Sequence, residues 1–279
     1  PSKAGVDPDA QRAELRNLFQ VAQDTGLNAI IFQIRPAADA LYESAYEPWS
    51  PHLTGKMDLD PGYDPLSFAI EEAHFRGMEL HAWFNPFRAQ TNIKKERSAN
   101  HIANTRADWV KQYGNYLWLD PGNPEVRDYT IKIMLDVVKR YDIDGVHIDD
   151  YFYPYPYPSN EDSLPFPDDD TFQRFGRGKK DTWRRSNVNR FVETLYKRIK
   201  KEKPWVKFGI SPFGIWRPGT PKGTEAGLDA YNLLYADARK WLHKGWIDYM
   251  MPQLYWSIDS EGQSFPRLLD WWFSENKKN

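Results

Sequence analysis

The chain contains no cysteine. That excludes disulfide staples, thiolate nucleophiles and cysteine-ligated zinc together, and leaves the redox compartment open. No apolar run approaches the roughly 18 residues of a membrane span, so no membrane insertion is expected of it. Charge of one sign is not in excess either. Lys and Arg number 37 against 39 Asp and Glu, giving a formal net charge of -2. The basic residues are scattered, so a nucleic-acid partner is excluded for want of an electrostatic footprint. The opening Pro-Ser-Lys-Ala-Gly is no signal peptide, and any targeting segment is expected to lie outside these 279 residues.

What the chain has instead is rings. Aromatic residues make up 15%, with 12 Trp and 16 Tyr, and rings with a polar edge suit both cores and the CH faces of sugars. With 41% apolar residues, the chain can bury a large core. Helix-period segments repeatedly end in a turn and pass at once into a short apolar strand. The turns are Thr25-Gly26, Arg76-Gly77, Tyr141-Asp142, Lys203-Pro204 and Lys244-Gly245, and strands are predicted near 28–35, 79–85, 144–149, 206–212 and 248–255. Tyr116-Leu117-Trp118-Leu119 is a weaker sixth. Helices between strands force crossovers and a parallel sheet. Asp64-Pro65 and Asn123-Pro124 each place a capping side chain before a proline at the first helical position.

The α/β fold expected is a (β/α)8 barrel of the TIM type forming a single catalytic domain over 1–279, the alternative being an open doubly wound sheet. The barrel is expected to be incomplete, with a first strand and the last one or two repeats outside this chain. Long loops rich in Pro, Gly and rings, at 36–63, 86–122, 154–180 and 214–228, all follow strands, on the side where such folds keep active sites.

Side chains alternate across a strand. One face is apolar: Ile30, Phe32, Ile34; Leu80, Ala82, Phe84; Val146, Ile148; Phe208, Ile210; Met250, Pro252, Leu254. The other carries Gln33 and Arg35; His81, Trp83 and Asn85; His147, Asp149 and Tyr151; Ser211; Gln253 and Tyr255, with Trp256 beside them. Parallel strands bring these polar ends to one rim. An ionised carboxylate at a buried strand end must be paired, metal-bound or used. Asp149 is expected within reach of Arg35, which would keep it ionised, and Asp150 is expected to point away from it or to lie in the loop.

The stretches FQIRPAADALYESAYEPWSPHLTG (32–55), EEAHFRGMELHAWFNPFR (71–88), YDIDGVHIDDYFYP (141–154), GISPFGIWR (209–217) and DYMMPQLYW (248–256) resemble those of glycosyl hydrolase-like family ten. The resemblance covers nearly the whole chain. It implies a bacterial, exported or envelope-associated glycoside hydrolase with a TIM-barrel domain, and a polysaccharide or oligosaccharide substrate such as peptidoglycan glycan strands. It also implies a strand before residue 1 and further repeats after residue 279. More distantly, Asp-Gly-Val-His-Ile-Asp-Asp-Tyr resembles the Asp-Gly-x-Asp-x-Asp-x-Glu motif of chitinase-type barrels. There His147 replaces an aspartate and Tyr151 stands where the catalytic glutamate would be, which puts a substrate-assisted mechanism in doubt.

Glycoside hydrolysis needs an acid and a second carboxylate. Asp149 and Asp150 are the catalytic candidates: Asp149, held ionised, as nucleophile or electrostatic stabiliser, and Asp150 as a candidate acid, with Asp39 and Asp120 as further candidate acids or as turn formers. Gln33, Arg35, His81, Asn85, His147, Ser211, Gln253 and Tyr255 are candidates for binding sugar hydroxyls. Trp83, Trp256 and the 151–157 loop are candidates for stacking. No cofactor is implied. Two rivals stay open. In a metal-dependent deacetylase His81, His147, Asp149 and Asp150 would ligate an ion, although no His-x-x-x-His pair is present. The other rival is a non-catalytic glycan-binding barrel.

Overall fold

The computed structural model describes residues 3–159 and 162–277. The helices after Asp64 and Asn123 start where the sequence signals place them. α1 (Pro8–Asp24) is capped by Asp7, α2 (Pro65–Phe75) by Asp64 and α3 (Pro124–Arg140) by Asn123, each side chain accepting from a backbone N–H of the first turn. Each has proline in that turn, where a missing N–H costs no helical bond. α4 (Lys180–Glu202), α5 (Ala238–Lys244) and α6 (Phe265–Glu275) follow.

In chain order the strands are β1 (Ala29–Arg35), β2 (Glu79–Phe84), β3 (Arg88–Gln90), β4 (Val110–Tyr113), β5 (Tyr116–Leu119), β6 (Gly145–Ile148), β7 (Pro158–Ser159), β8 (Asp162–Ser163), β9 (Lys207–Ile210) and β10 (Tyr249–Met250). The main sheet has the order β1-β2-β6-β9-β10, all parallel. A doubly wound sheet reverses its order at a switch point, and this one does not. Among the described residues it stays open at β1 and β10 and does not close into a barrel. The Tyr116 strand is not part of it. β5 pairs antiparallel with β3 and β4 in a separate small sheet. The last predicted strand is also shorter than expected, only Tyr249 and Met250 pairing with β9 before a single bridge between Phe213 and Gln253.

The apolar faces of the central strands behave as their alternation predicts, whereas Met250, Pro252 and Leu254 at the β10 edge are only half-buried. Leu80, Ala82, Phe84, Val146, Ile148, Phe208 and Ile210 are fully enclosed. Ile30 and Phe32 are only half-buried, because β1 is an edge strand.

Arg35 departs from expectation. Gln33 pairs with Trp83, but Arg35 pairs with Phe84. Two residues of β1 therefore oppose one of β2, and this bulge switches Arg35 to the opposite face. There it is fully enclosed, its Nε and Nη2 donating to Glu47 at 2.7 and 2.6 Å and its Nη1 to the Asn85 carbonyl at 2.6 Å. Arg35 thus binds Glu47 and does not hold Asp149. Removing one partner of such a buried pair costs about 3–5 kcal/mol. Glu47→Ala is expected to lose that much in urea unfolding, and a loss below about 1 kcal/mol would rank the pair with exposed ones.

Candidate active site at the carboxyl end of β6

In-register pairing lays Gln33, Trp83, His147, Gly209 and Tyr249 in one row across the sheet. Side chains lean over the glycines. A Cβ at Gly209 would lie 1.9 Å from the Tyr249 ring, and one at Gly145 would lie 2.5 Å from Nδ1 of His81. The Tyr249 hydroxyl therefore sits between two imidazoles, 2.7 Å from Nδ1 of His81 and 3.0 Å from Nδ1 of His147. A hydroxyl has one proton to give, so it donates to one ring and accepts from the other. The far nitrogens lie against Glu79 at 3.0 Å and the Ser211 hydroxyl at 2.9 Å. Burial, then the neighbouring His81, push the His147 imidazole down to about 4. His147 is a neutral member of a polar floor.

Beyond that floor, where β6 ends, come the two carboxyl groups. Oδ2 of Asp149 accepts from Trp83 Nε1 at 3.1 Å and from Asn85 Nδ2 at 3.3 Å, and Oδ1 accepts from the Tyr151 N–H at 3.3 Å. The residue is 3% exposed. Burial first, and then Asp150, push Asp149 up to about 7, against Arg88 and the Trp83 and Tyr151 donors. Its nearby cation is thus Arg88, and the expectation of a permanently ionised group is overturned. Asp150 is buried too, not turned out into the loop. It accepts from the Tyr155 hydroxyl at 2.5 Å, and burial raises its pKa against Tyr155 and the nearby Gln253, whose Nε2 donates to the Ser211 carbonyl at 2.8 Å. Arg88 lies over the Tyr151 ring at 5.0 Å, and Tyr151 contacts Tyr155 and Trp118 at centroid distances of 5.4 and 6.3 Å. Two carboxyl groups thus sit beside a wall of rings, one of them able to carry a proton near neutral pH.

The remaining predicted residues divide. Trp83, Asn85 and Tyr151 meet the carboxyl pair directly, Gln253 lies near it, and His81, His147 and Ser211 form the floor. Gln33 is half-buried in the row beside Trp83. Asp39 accepts from the Ala37 N–H at 2.8 Å across a turn in which Ala38 has φ 53. Asp120 accepts from the Gly122 N–H at 2.8 Å and from the Thr171 hydroxyl, and burial, with Asp168 nearby, pushes it up to about 6. Neither Asp39 nor Asp120 has a hydrogen bond to Asp149 or Asp150. Tyr255 is 87% exposed. β10 has ended by then, so alternation no longer aims it inward. Trp256 packs edge-on against Phe213 at 5.7 Å. Tyr249 was missed, although it shares the alternation of Gln253. Arg88 was missed inside a quoted stretch, because nothing in its spacing shows where it turns. As for a metal site, both ring nitrogens of His81 and of His147 already face protein partners.

The profile of the family described as Glycosyl hydrolase-like 10 matches residues 6–279. Glycosyl hydrolase YngK of Bacillus subtilis (strain 168) is 48% identical over 286 residues, covering 99% of this chain and 55% of that protein. Glycosyl hydrolase DigH of Escherichia coli (strain K12) is 38% identical over 287 residues, covering 97% of this chain and 63% of that protein. The chain thus spans somewhat over half the length of these relatives. Among solved structures, an alpha-galactosidase from Lactobacillus brevis aligns with a TM-score of 0.48 at 15% identity, over 95% of this chain and 30% of that one.

Asp149 enters the folded state with its pKa raised from an unfolded value of about 3.9. From about pH 4 to about 7 the folded chain binds the extra proton, so this group's contribution to stability falls as pH rises through that window. His147, depressed to about 4, acts with the opposite sign. Comparing wild type with Asp149→Asn isolates the first effect. The variant's advantage in urea unfolding is expected to grow from near zero at about pH 4 to roughly 2–4 kcal/mol at about pH 8. A difference independent of pH would mean that Asp149 ionises without penalty.

Proposed function

The chain belongs to the glycosyl hydrolase-like 10 family, and from that premise we propose that it hydrolyses O-glycosidic bonds with Asp149 and Asp150 as its acid and base. The observation that carries this reading is the pair of adjacent enclosed carboxyl groups, one pushed up to about 7. An acid poised near the operating pH is what leaving-group protonation requires. Asp149 gives its proton to the glycosidic oxygen as the bond to the anomeric carbon breaks. Water then adds to that carbon, and its proton passes to Asp150, which the Tyr155 hydroxyl orients. The half-buried Gln33 and Gln253 are assigned to sugar hydroxyls, and the half-buried Trp83, Tyr151 and Tyr155 to the sugar faces.

The unreversed strand order supports reading the open sheet as part of a (β/α)8 barrel, one catalytic domain over 1–279, with its chemistry at the carboxyl ends of the strands. Following the family resemblance, we further propose a substrate of the bacterial envelope, with peptidoglycan glycan strands as the first polymer to try and the cell envelope as the location.

Turnover of purified glycan strands is the direct test. Asp149→Asn is expected to lower kcat by about 10²–10⁴ while leaving glycan binding in place. The alkaline limb of the kcat/KM profile, with its midpoint near pH 7, is expected to vanish with it. Wild type that binds glycan strands without cleaving them would favour a non-catalytic glycan-binding barrel, and activity abolished by chelators would favour a metal-dependent deacetylase.

A further inference from the structure

A cleft of about 370 Å³ opens between the first turn of α3 and the amino-terminal half of α4. Its walls carry three guanidinium groups, those of Arg127, Arg177 and Arg190, and no carboxylate. A smaller pocket of about 190 Å³, which shares Pro124, Arg127 and Arg190 with it, adds Asp128. Among the described residues none of the three arginines enters an ion pair. Arg127 donates to the carbonyls of Pro121 and Gly122 at 2.7 and 3.0 Å, and Arg177 to that of Gly176 at 2.7 Å. Arg127 is also buried, and burial, then the like charge of Arg190, push it down to about 10, against the attraction of Asp128 and Asp120.

An enclosed guanidinium facing a second one calls for a counter-charge. Asn187, 5% exposed, lines the same cleft, and its enclosed Nδ2 has no hydrogen-bond partner. Leaving such a donor unmet costs about 1–3 kcal/mol. The amino-terminal end of α3 adds a partial positive charge. The acid in its first turn, Glu125, is engaged elsewhere, with Arg106 at 3.0 Å. Trp183 forms a fixed wall, packed so closely that a Cβ on Gly122 would lie 2.3 Å from its ring. Since α3 and α4 run back from the carboxyl ends of the strands, the cleft lies on the same rim as Asp149, outside the sheet.

We propose that the cleft between α3 and α4 binds a phosphate or carboxylate group, with Arg127, Arg190 and Asn187 as donors and Arg177 at its mouth. This assignment does not depend on hydrolysis at Asp149. It would let the rim hold an acidic substituent of a saccharide, or a free oxyanion, apart from the proposed hydrolytic site.

The test is titration of the 15N-labelled chain with inorganic phosphate, with glucuronate, and with glucose as the neutral control. The Asn187 side-chain amide and the Trp183 indole N–H are expected to shift saturably with at least one anion and not with glucose. Arg190→Ala and Arg177→Ala, both at exposed positions, are expected to weaken that binding about tenfold or more, since a charge-assisted hydrogen bond is lost. Saturation by glucuronate alone would assign a sugar-borne carboxylate, and saturation by phosphate would assign a free or ester phosphate. No saturable shift from either anion, an equal response to glucose, or undiminished binding in both arginine variants would overturn the proposal. The contrast of anion with glucose is read on wild type, so it stands whether or not a variant folds.

Discussion

The pairing of β2 with β6 is the constraint on which the candidate site rests. Trp83 lies opposite His147, and Phe84 opposite Ile148. Continued past the strand ends, that register puts the Trp83 indole and the Asn85 amide against the carboxyl of Asp149. A slip of one residue would turn every side chain of one strand to the other face and put His147 and Asp149 under the helices. What prevents the slip is the apolar face. Phe84, Ile148 and Ile210 are fully enclosed, and exposing any of them would cost about 1.5–3 kcal/mol. Burial on the helix side thus fixes the chemistry on the other.

The same register explains why the inner face tolerates so many polar groups. Two glycines, 145 and 209, leave gaps that His81 and Tyr249 fill from neighbouring strands. A run of contacts results, Glu79 to His81 to Tyr249 to His147 to Ser211. Each hydrogen-bonding atom is met by the next, and at the outer end Glu79, its pKa lowered by Lys207 and then His81, also accepts from the Lys207 ammonium at 2.7 Å. The floor is thus closed by protein partners, and the carboxyl groups above it are held by a separate set of donors.

Much of this was legible in the sequence because it follows from local periodicity. Two-residue alternation separated the enclosed faces from the polar ones, and Asp-Pro and Asn-Pro marked helix starts that the structure keeps. What was not legible depends on contacts between distant segments. The bulge that turns Arg35 over is a property of two strands in register, and Glu47, its partner, lies in an irregular loop with no period to read. The sheet of β3, β4 and β5 is antiparallel and short, and its residues interrupt the βα pattern instead of extending it. Tyr255 was misplaced because alternation was carried past the end of β10.

A comparison among the enclosed carboxyl groups separates structure from chemistry. Glu47 is met by Arg35, and Asp168 by Arg184 and Lys180, so these charges are cancelled where they stand. Asp149 and Asp150 receive only neutral donors: an indole, a carboxamide, a backbone N–H and a phenol. Neutral donors orient a carboxyl group without forcing it to stay ionised, so its proton can come and go. Asp120 also has neutral donors and a raised pKa. One of them, the Gly122 N–H, belongs to its own turn, and no group from a strand of the main sheet converges on it. Convergence of neutral donors from β2 and the 151–155 loop on two adjacent carboxyl groups is therefore what sets Asp149 and Asp150 apart.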